Sequence, residues 1–271
     1  MPMSPRLLLP RQTIHPVAAD WANRVRSNGG SVTGKTAGVV STFVKGCLAD
    51  GIWTKMNTIG LLCGASTLSG AITPLKGGTF TNNNFISGDY NAATGLKGGT
   101  SAQNKAIVTS LLASSLSNTS HHLFVAGSDF ETTVGNFNAG GVFVSAASSL
   151  MDLMFGNNRR CRSGTFDGAG NAAIAPNSSS TQGSLALVRT SSTDLRCYSD
   201  GVSGTAATNN NTPSLPNVAI SVFARNDNGT RSEHTAARLA FFSIGSGLTQ
   251  EETLALHNRV ATLRNAIAES I

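Results

Sequence analysis

The chain has 271 residues, of which 40% are apolar and only 13% charged, with a formal net charge of +6 and a pI near 9.5. Such a length holds one large β domain or two small ones, and it buries enough surface to fold without a metal or a disulfide. The charged share is about half the usual ~25%, with Gly, Ser, Thr, Ala and Asn in its place, which excludes a coiled coil or a long helical bundle.

Residues 1–15 carry Pro2, Pro5 and Pro10 and no helical period. They are expected to form an extended N-terminal arm. Leu7, Leu8 and Leu9, flanked by Arg6 and Arg11, are too apolar to prefer water, so this arm is the candidate partner-docking segment. Pro16 then opens a short helix, where a first-turn proline is tolerated. Val17, Trp21 and Val25 fall on one of its faces, and Asn28-Gly29-Gly30 stops it. A second helix is expected near Lys35 to Ala49, with Val40, Phe43, Val44, Cys47 and Leu48 as its apolar stripe. Residues 16–56 are thus a helical N-terminal segment.

Beyond this point the period changes. Ile59-Gly60-Leu61-Leu62-Cys63 reads as a buried strand. Further strands are expected near His122–Ala126, Gly141–Ser145, Leu150–Phe155, Leu185–Thr190, Leu195–Ser199, Val218–Arg225 and Arg238–Ile244, separated by Asn-rich turns. Asp200-Gly201 is a hairpin signal. Many short strands with Gly-rich turns indicate a sandwich or barrel over residues 57–247. Thr249 to Glu252 spell a capping box. Leu256, Val260, Leu263 and Ile267 then give a C-terminal helix, residues 248–271, packed on the sandwich. The terminal helices are expected to plug the ends or edges of the sandwich, where they would hide strand edges.

Several of these pieces, in this order, resemble a group of bacteriophage virion proteins with a concanavalin A-like (laminin G-like) jelly roll. They are Asp20-Trp21-Ala22-Asn23-Arg24-Val25, Gly29-Gly30-Ser31-Val32, Ile72-Thr73-Pro74-Leu75-Lys76-Gly77-Gly78, Asn84 to Tyr90 and Gly95-Leu96-Lys97-Gly98. Near the end come Arg196 to Gly201 and Phe242 to Thr249. The resemblance implies a mainly β fold, a concanavalin A-like jelly-roll sandwich with two N-terminal helices and one C-terminal helix. It also implies a virion component, such as a capsid decoration or a head or tail fibre, assembled in the host cytoplasm. Its partners would be other virion proteins and further copies of the chain, with host glycan as the alternative ligand. Fold does not fix function, and no ligand residues are carried over.

The motifs do not point to catalysis. Gly29 to Thr36 fits the phosphate-loop pattern G-x-x-x-x-G-K-[ST]. However, no hydrophobic strand precedes it and no alternating α/β pattern follows, so a helix–helix turn is expected instead. His121 and His122 adjoin on a strand and should point to opposite faces. Asp129 and Glu131 are two apart and could share a face, yet the strand of alternating acids that a glucanase would carry is absent. Asp152, Asp167 and Asp194 stand alone in sequence, and no nucleophile elbow is present. Cys47, Cys63, Cys161 and Cys197 show no metal-ligand spacing and are expected to be four reduced, buried residues, with a disulfide as the alternative that the sequence does not pair. The Asn-x-Ser/Thr sequences at Asn118, Asn177, Asn210 and Asn228 read as polar loops.

Lys and Arg are scattered, with Arg159, Arg160 and Arg162 the densest group, so nucleic acid is not the expected partner. No secretory or membrane-spanning run is legible, and a soluble protein with no membrane partner is expected. No cofactor, metal or enzymatic activity is expected. Trp21 and Trp53 should pack in the helical part rather than offer a stacking platform for sugar.

Overall fold

The computed structural model describes residues 13–144, 149–165, 172–176, 179–207 and 214–271. The candidate arm residues Arg6, Leu7, Leu8, Leu9 and Arg11 lie outside these ranges, as do Asp167, Asn177 and Asn210. Two helices lead, α1 (Pro16–Ser27) and α2 (Gly34–Ala49). Strands β1 (Met56–Leu61), β2 (Phe80–Asn83), β3 (Tyr90–Asn91), β4 (Gly95–Lys97) and β5 (Ala106–Leu112) follow, with a single turn of helix, α3 (Leu68–Ala71), after β1. Then come β6 (His121–Ser128), β7 (Phe137–Val144), β8 (Ser149–Phe155), β9 (Arg160–Thr165), β10 (Ala172–Ile174) and β11 (Gln182–Ser191). The chain closes with β12 (Asp194–Ser199), β13 (Val202–Ser203), β14 (Ala219–Val222), β15 (Arg225–Asp227), β16 (Thr230–Ser232), β17 (Arg238–Gly245) and the last helix, α4 (Gln250–Ala268).

The strands form two sheets packed face to face. The first runs β13-β12-β11-β6-β17-β4-β3, with β1 also on β17; the second runs β10-β9-β8-β7-β14-β5-β2, with β15 also on β7 and β16 on β15. All pairings between these strands are antiparallel except the short one of β15 with β7. The fold is therefore the expected jelly-roll sandwich. Between the sheets lie Leu123, Val125, Leu185, Leu187, Leu239, Phe242 and Ile244 of the first and Val142, Met151, Leu153, Phe155, Ile220 and Val222 of the second.

The helices do not plug the ends or edges. They form a third layer on the outer face of the first sheet, where Phe124, Ala126, Ala186, Val188, Tyr198, Ala240 and Phe241 meet Trp21, Phe43, Val44, Leu256, Val260 and Leu263. The reason is visible in the strands. Leu123-Phe124-Val125-Ala126 and Leu185-Ala186-Leu187-Val188 are apolar at every position, so this sheet needs cover on both faces, and each large side chain so buried contributes roughly 1.5–3 kcal/mol. A register shift between Leu239 and Phe241 turns Ala240 and Phe241 to the same outer face, as a bulge does. There Phe241 meets Phe43 and Phe124 edge to face, at 5.6 and 6.0 Å.

Local chemistry sets the helix ends. Thr33 Oγ1 accepts from Thr36 N, and Thr249 with Glu252 forms the full capping box. The phosphate-loop pattern is a helix–helix turn: Gly29 takes φ +79° just past α1, and Lys35 Nζ donates to Glu269 O at 2.5 Å. The Asp200-Gly201 hairpin forms as expected, with φ +53° and +77° and Ser199 paired to Val202. The strand expected over Val218–Arg225 is instead broken. Phe223 adopts φ +74°, because its N–H goes to Ala139 O and its carbonyl to Thr235 N, and the chain restarts as β15.

The expectation of four reduced cysteines is corrected. Cys161 of β9 and Cys197 of β12 form a disulfide, with Cα atoms 5.4 Å apart. They face each other from opposite sheets, which only the folded topology reveals. Cys47 and Cys63 are free and buried, and burial pushes both thiols up to about 12.

Candidate functional site

Among the described residues no helix covers the second sheet, and its outer face carries a cluster of charged side chains around Met154. A cross-strand row runs Arg162–Asp152–Gly141–Arg225, each residue directly opposite the next. Neighbours in such a row share a face. Asp152 is fully buried and takes a two-point contact from Arg162, Nε to Oδ1 at 3.0 Å and Nη2 to Oδ2 at 2.6 Å. Arg225 Nη1 approaches Asp152 Oδ2 at 3.3 Å and Glu233 Oε2 at 2.9 Å, while its Nε and Nη2 grip Asp227 at 2.6 and 3.0 Å. Glycine at 141 makes this possible: a Cβ there would sit 2.8 Å from Asp152 Cβ. Burial on its own would lower the Arg225 pKa, but the hydrogen bonds to Asp227 and the charges of Glu233, Asp152 and Asp227 outweigh it and raise it. A buried carboxylate with two guanidiniums in fixed geometry makes a stiff floor.

At one end of this row the β8–β9 turn and the loop before β7 enclose an open trough of about 420 Å³, lined by Val134, Gly135, Asn136, Asn157, Asn158 and Arg160. Two backbone bonds hold the loops together, Gly156 N to Glu131 O and Asn157 N to Thr133 O. Arg160 sits beside the row: its Nε lies 3.2 Å from Met154 Sδ and its Nη2 donates to Asn136 Oδ1 at 3.0 Å. Burial, then the neighbouring Arg162 charge, lower its pKa. Among the described residues Arg160 has no salt bridge, whereas Arg162 and Arg225 both do. Among the described residues the lining therefore offers three carboxamides and a guanidinium, with no carboxylate, imidazole, hydroxyl or thiol side chain that could act as acid, base or nucleophile.

Of the residues named from sequence, Asp152, Arg160 and Arg162 belong to this face, and the other acids and the histidines fall elsewhere. Asp129 pairs with Lys97 at 2.7 Å, while Glu131 accepts from Thr235 Oγ1 and Ala236 N, so the two acids do not act as a pair. The histidine rings diverge as expected. His121 donates from Nδ1 to Ser117 O and accepts at Nε2 from Ser163 between the sheets. His122 makes the same two kinds of bond, to Ser246 O and with Ser243, on the helix side. Burial pushes both pKa values down to about 4. Trp21 and Trp53 are buried.

One constellation is not legible in sequence. Ser184 Oγ lies 2.9 Å from His257 Nδ1, and Asp200 Oδ1 lies 3.9 Å from the same nitrogen. A catalytic triad places serine and carboxylate on opposite ring nitrogens. Here both crowd Nδ1, and Asp200 Oδ1 already accepts Ser184 N at 2.8 Å. The arrangement pins α4 to β11. Among the described residues no three His, Cys, Asp or Glu cluster as metal ligands, and no helix is long and apolar enough to cross a membrane.

No protein-family model and no curated protein matches this sequence. Solved structures do resemble the fold. A mutant Trypanosoma rangeli sialidase displaying trans-sialidase activity is 9% identical, with 83% of this chain and 39% of that one aligned at a TM-score of 0.47. The CBM40 of Ruminococcus gnavus IT-sialidase is 9% identical over 52% of this chain and 84% of its own, at 0.41. The K499G mutant of NanB sialidase from Streptococcus pneumoniae is 12% identical over 56% of this chain, at 0.41, and this chain spans about a quarter (26%) of its length.

Proposed function

We propose that the chain is a non-catalytic recognition module that binds carbohydrate in the trough beside Arg160. The observation that carries this reading is the guanidinium of Arg160, held in place by Asn136 and Met154 yet free of any salt bridge among the described residues. Asn136, Asn157 and Asn158 around it supply paired donors and acceptors of the kind that adjacent sugar hydroxyls need. A guanidinium without a counter-ion favours a sugar bearing a carboxylate or sulfate.

A glycan array followed by titration of the best binder tests this reading. Arg160→Ala should weaken binding at least about tenfold, the loss of roughly one charge-assisted hydrogen bond, with the melting midpoint unchanged. Absence of binding to any acidic or neutral glycan would remove the reading.

The ordered segments that resemble phage virion proteins support a second reading, in which the chain is a structural part of a particle and works through protein contacts. Incorporation into particles together with a blank glycan array would favour it. In either role the proposal includes no bond-making step, since the trough lacks a reactive side chain and Ser184, Asp200 and His257 share one ring nitrogen.

A further inference from the structure

The helix layer contains an apolar groove between α2 and α4, with a volume of about 160 Å³, lined by Val39, Thr42, Phe43, Arg259, Thr262, Leu263 and Ala266. Polar contacts between the same two helices close its ends: Lys35 Nζ to Glu269 O at one, the Asp50–Arg259 pair at the other. The path of the chain ahead of α1 leads toward this groove. His15 N donates to Ser41 Oγ, Ile14 lies over Gly38, and Thr13 O accepts from Lys45 Nζ at 2.9 Å. Successive helix positions turn by about 100°. Going round α2, Ser41 comes first, then Lys45 and Gly38 on the outer crest, then Thr42, Val39 and Phe43 on the groove side. Read backward from α1, the chain therefore reaches the crest of α2 that borders the groove, where Gly38 leaves room for it.

We propose that Leu7, Leu8 and Leu9 of the same chain fill this groove. Leu9 precedes Thr13 by four residues, a reach of about 13 Å when extended. Pro5 and Pro10 bracket the leucines and favour an extended course. A tethered segment acts at a high effective concentration, which favours the arm of the same chain over that of a second copy. The groove lies on the opposite side of the sandwich from the second sheet, so its filling neither supports nor requires the carbohydrate reading.

The full-length double variant Leu8→Cys/Thr262→Cys tests it under mild oxidation, read by non-reducing electrophoresis and peptide mapping. The expected product is a monomer with a bridge from residue 8 to residue 262. Leu8→Cys/Thr81→Cys, with the second thiol on the far sheet, should stay reduced. Adding Val39→Glu should cut the yield about tenfold or more, since a carboxylate in an apolar groove must be desolvated. A bridge between two chains would show that a second copy supplies the arm and would overturn the proposal. So would two freely labelled thiols with no bridge, or equal bridging to residue 81.

Discussion

The two sheets solve the problem of an outer face in opposite ways. The first is apolar on both sides and is sealed by α1, α2 and α4. The second is apolar inside and builds its outer face from paired charges around Asp152. An apolar face can only be covered, whereas a polar one can be shaped for a ligand, and the proposed recognition therefore falls to the second sheet.

The comparison breaks most visibly if one member of each outer face is removed. Phe241→Ala should cost about 3–5 kcal/mol through lost burial and a cavity. Asp152→Ala should cost a similar ~3–5 kcal/mol for a different reason, because it removes the two-point contact to the buried Arg162 guanidinium, while Arg225 keeps Asp227 and Glu233. Chemical denaturation of both variants measures this. The faces separate in a rescue: Asp152→Leu combined with Arg162→Met, with Arg225 kept for Asp227 and Glu233, should recover part of the loss, while no second substitution added to Phe241→Ala should do so.

Acid sharpens the contrast next. His121 and His122 belong to the first sheet and are buried with pKa values near 4, against 6.5 for the free side chain. Because the folded values lie below the unfolded one, protonation favours the unfolded chain. Their contribution is complete above pH 6.5 and is lost as the pH falls toward 4, up to about 3 kcal/mol apiece. Stability measured across that window should fall, and His122→Gln should flatten part of the slope. Replacing both Cys161 and Cys197 by Ala, which unties one sheet from the other, should cost about 2–4 kcal/mol. Thr249→Ala, a cap on α4 remote from the second sheet, should cost only about 1 kcal/mol and leave ligand binding unchanged.

Local signals make part of this legible in the sequence. The caps at Thr33 and Thr249, the Asp200-Gly201 hairpin and the apolar strands β6, β11 and β17 depend on near neighbours. The helix layer is legible only in disguise: strands apolar at every position already demand cover on both faces. Ala106–Leu112 escapes a reading by pattern despite its Ile107-Val108 pair. Arg160-Cys161-Arg162-Ser163 stands out as a basic cluster, although its strict alternation marks a strand with charge on one face and the disulfide on the other. The site itself depends on distant pairs. Asp152 meets Arg162 from ten residues away and Arg225 from 73, and no local pattern joins them. The one available signal is Gly140-Gly141 inside a strand, which marks a close approach.

Amide hydrogen exchange with and without a glycan that binds tests most directly whether recognition belongs to the second sheet. Slowed exchange is expected at residues 133–136 and 156–160 alone, with the helix layer unchanged and the effect absent in Arg160→Ala. Protection centred on α2 and α4, or on the Ser184–His257 contact, would contradict it.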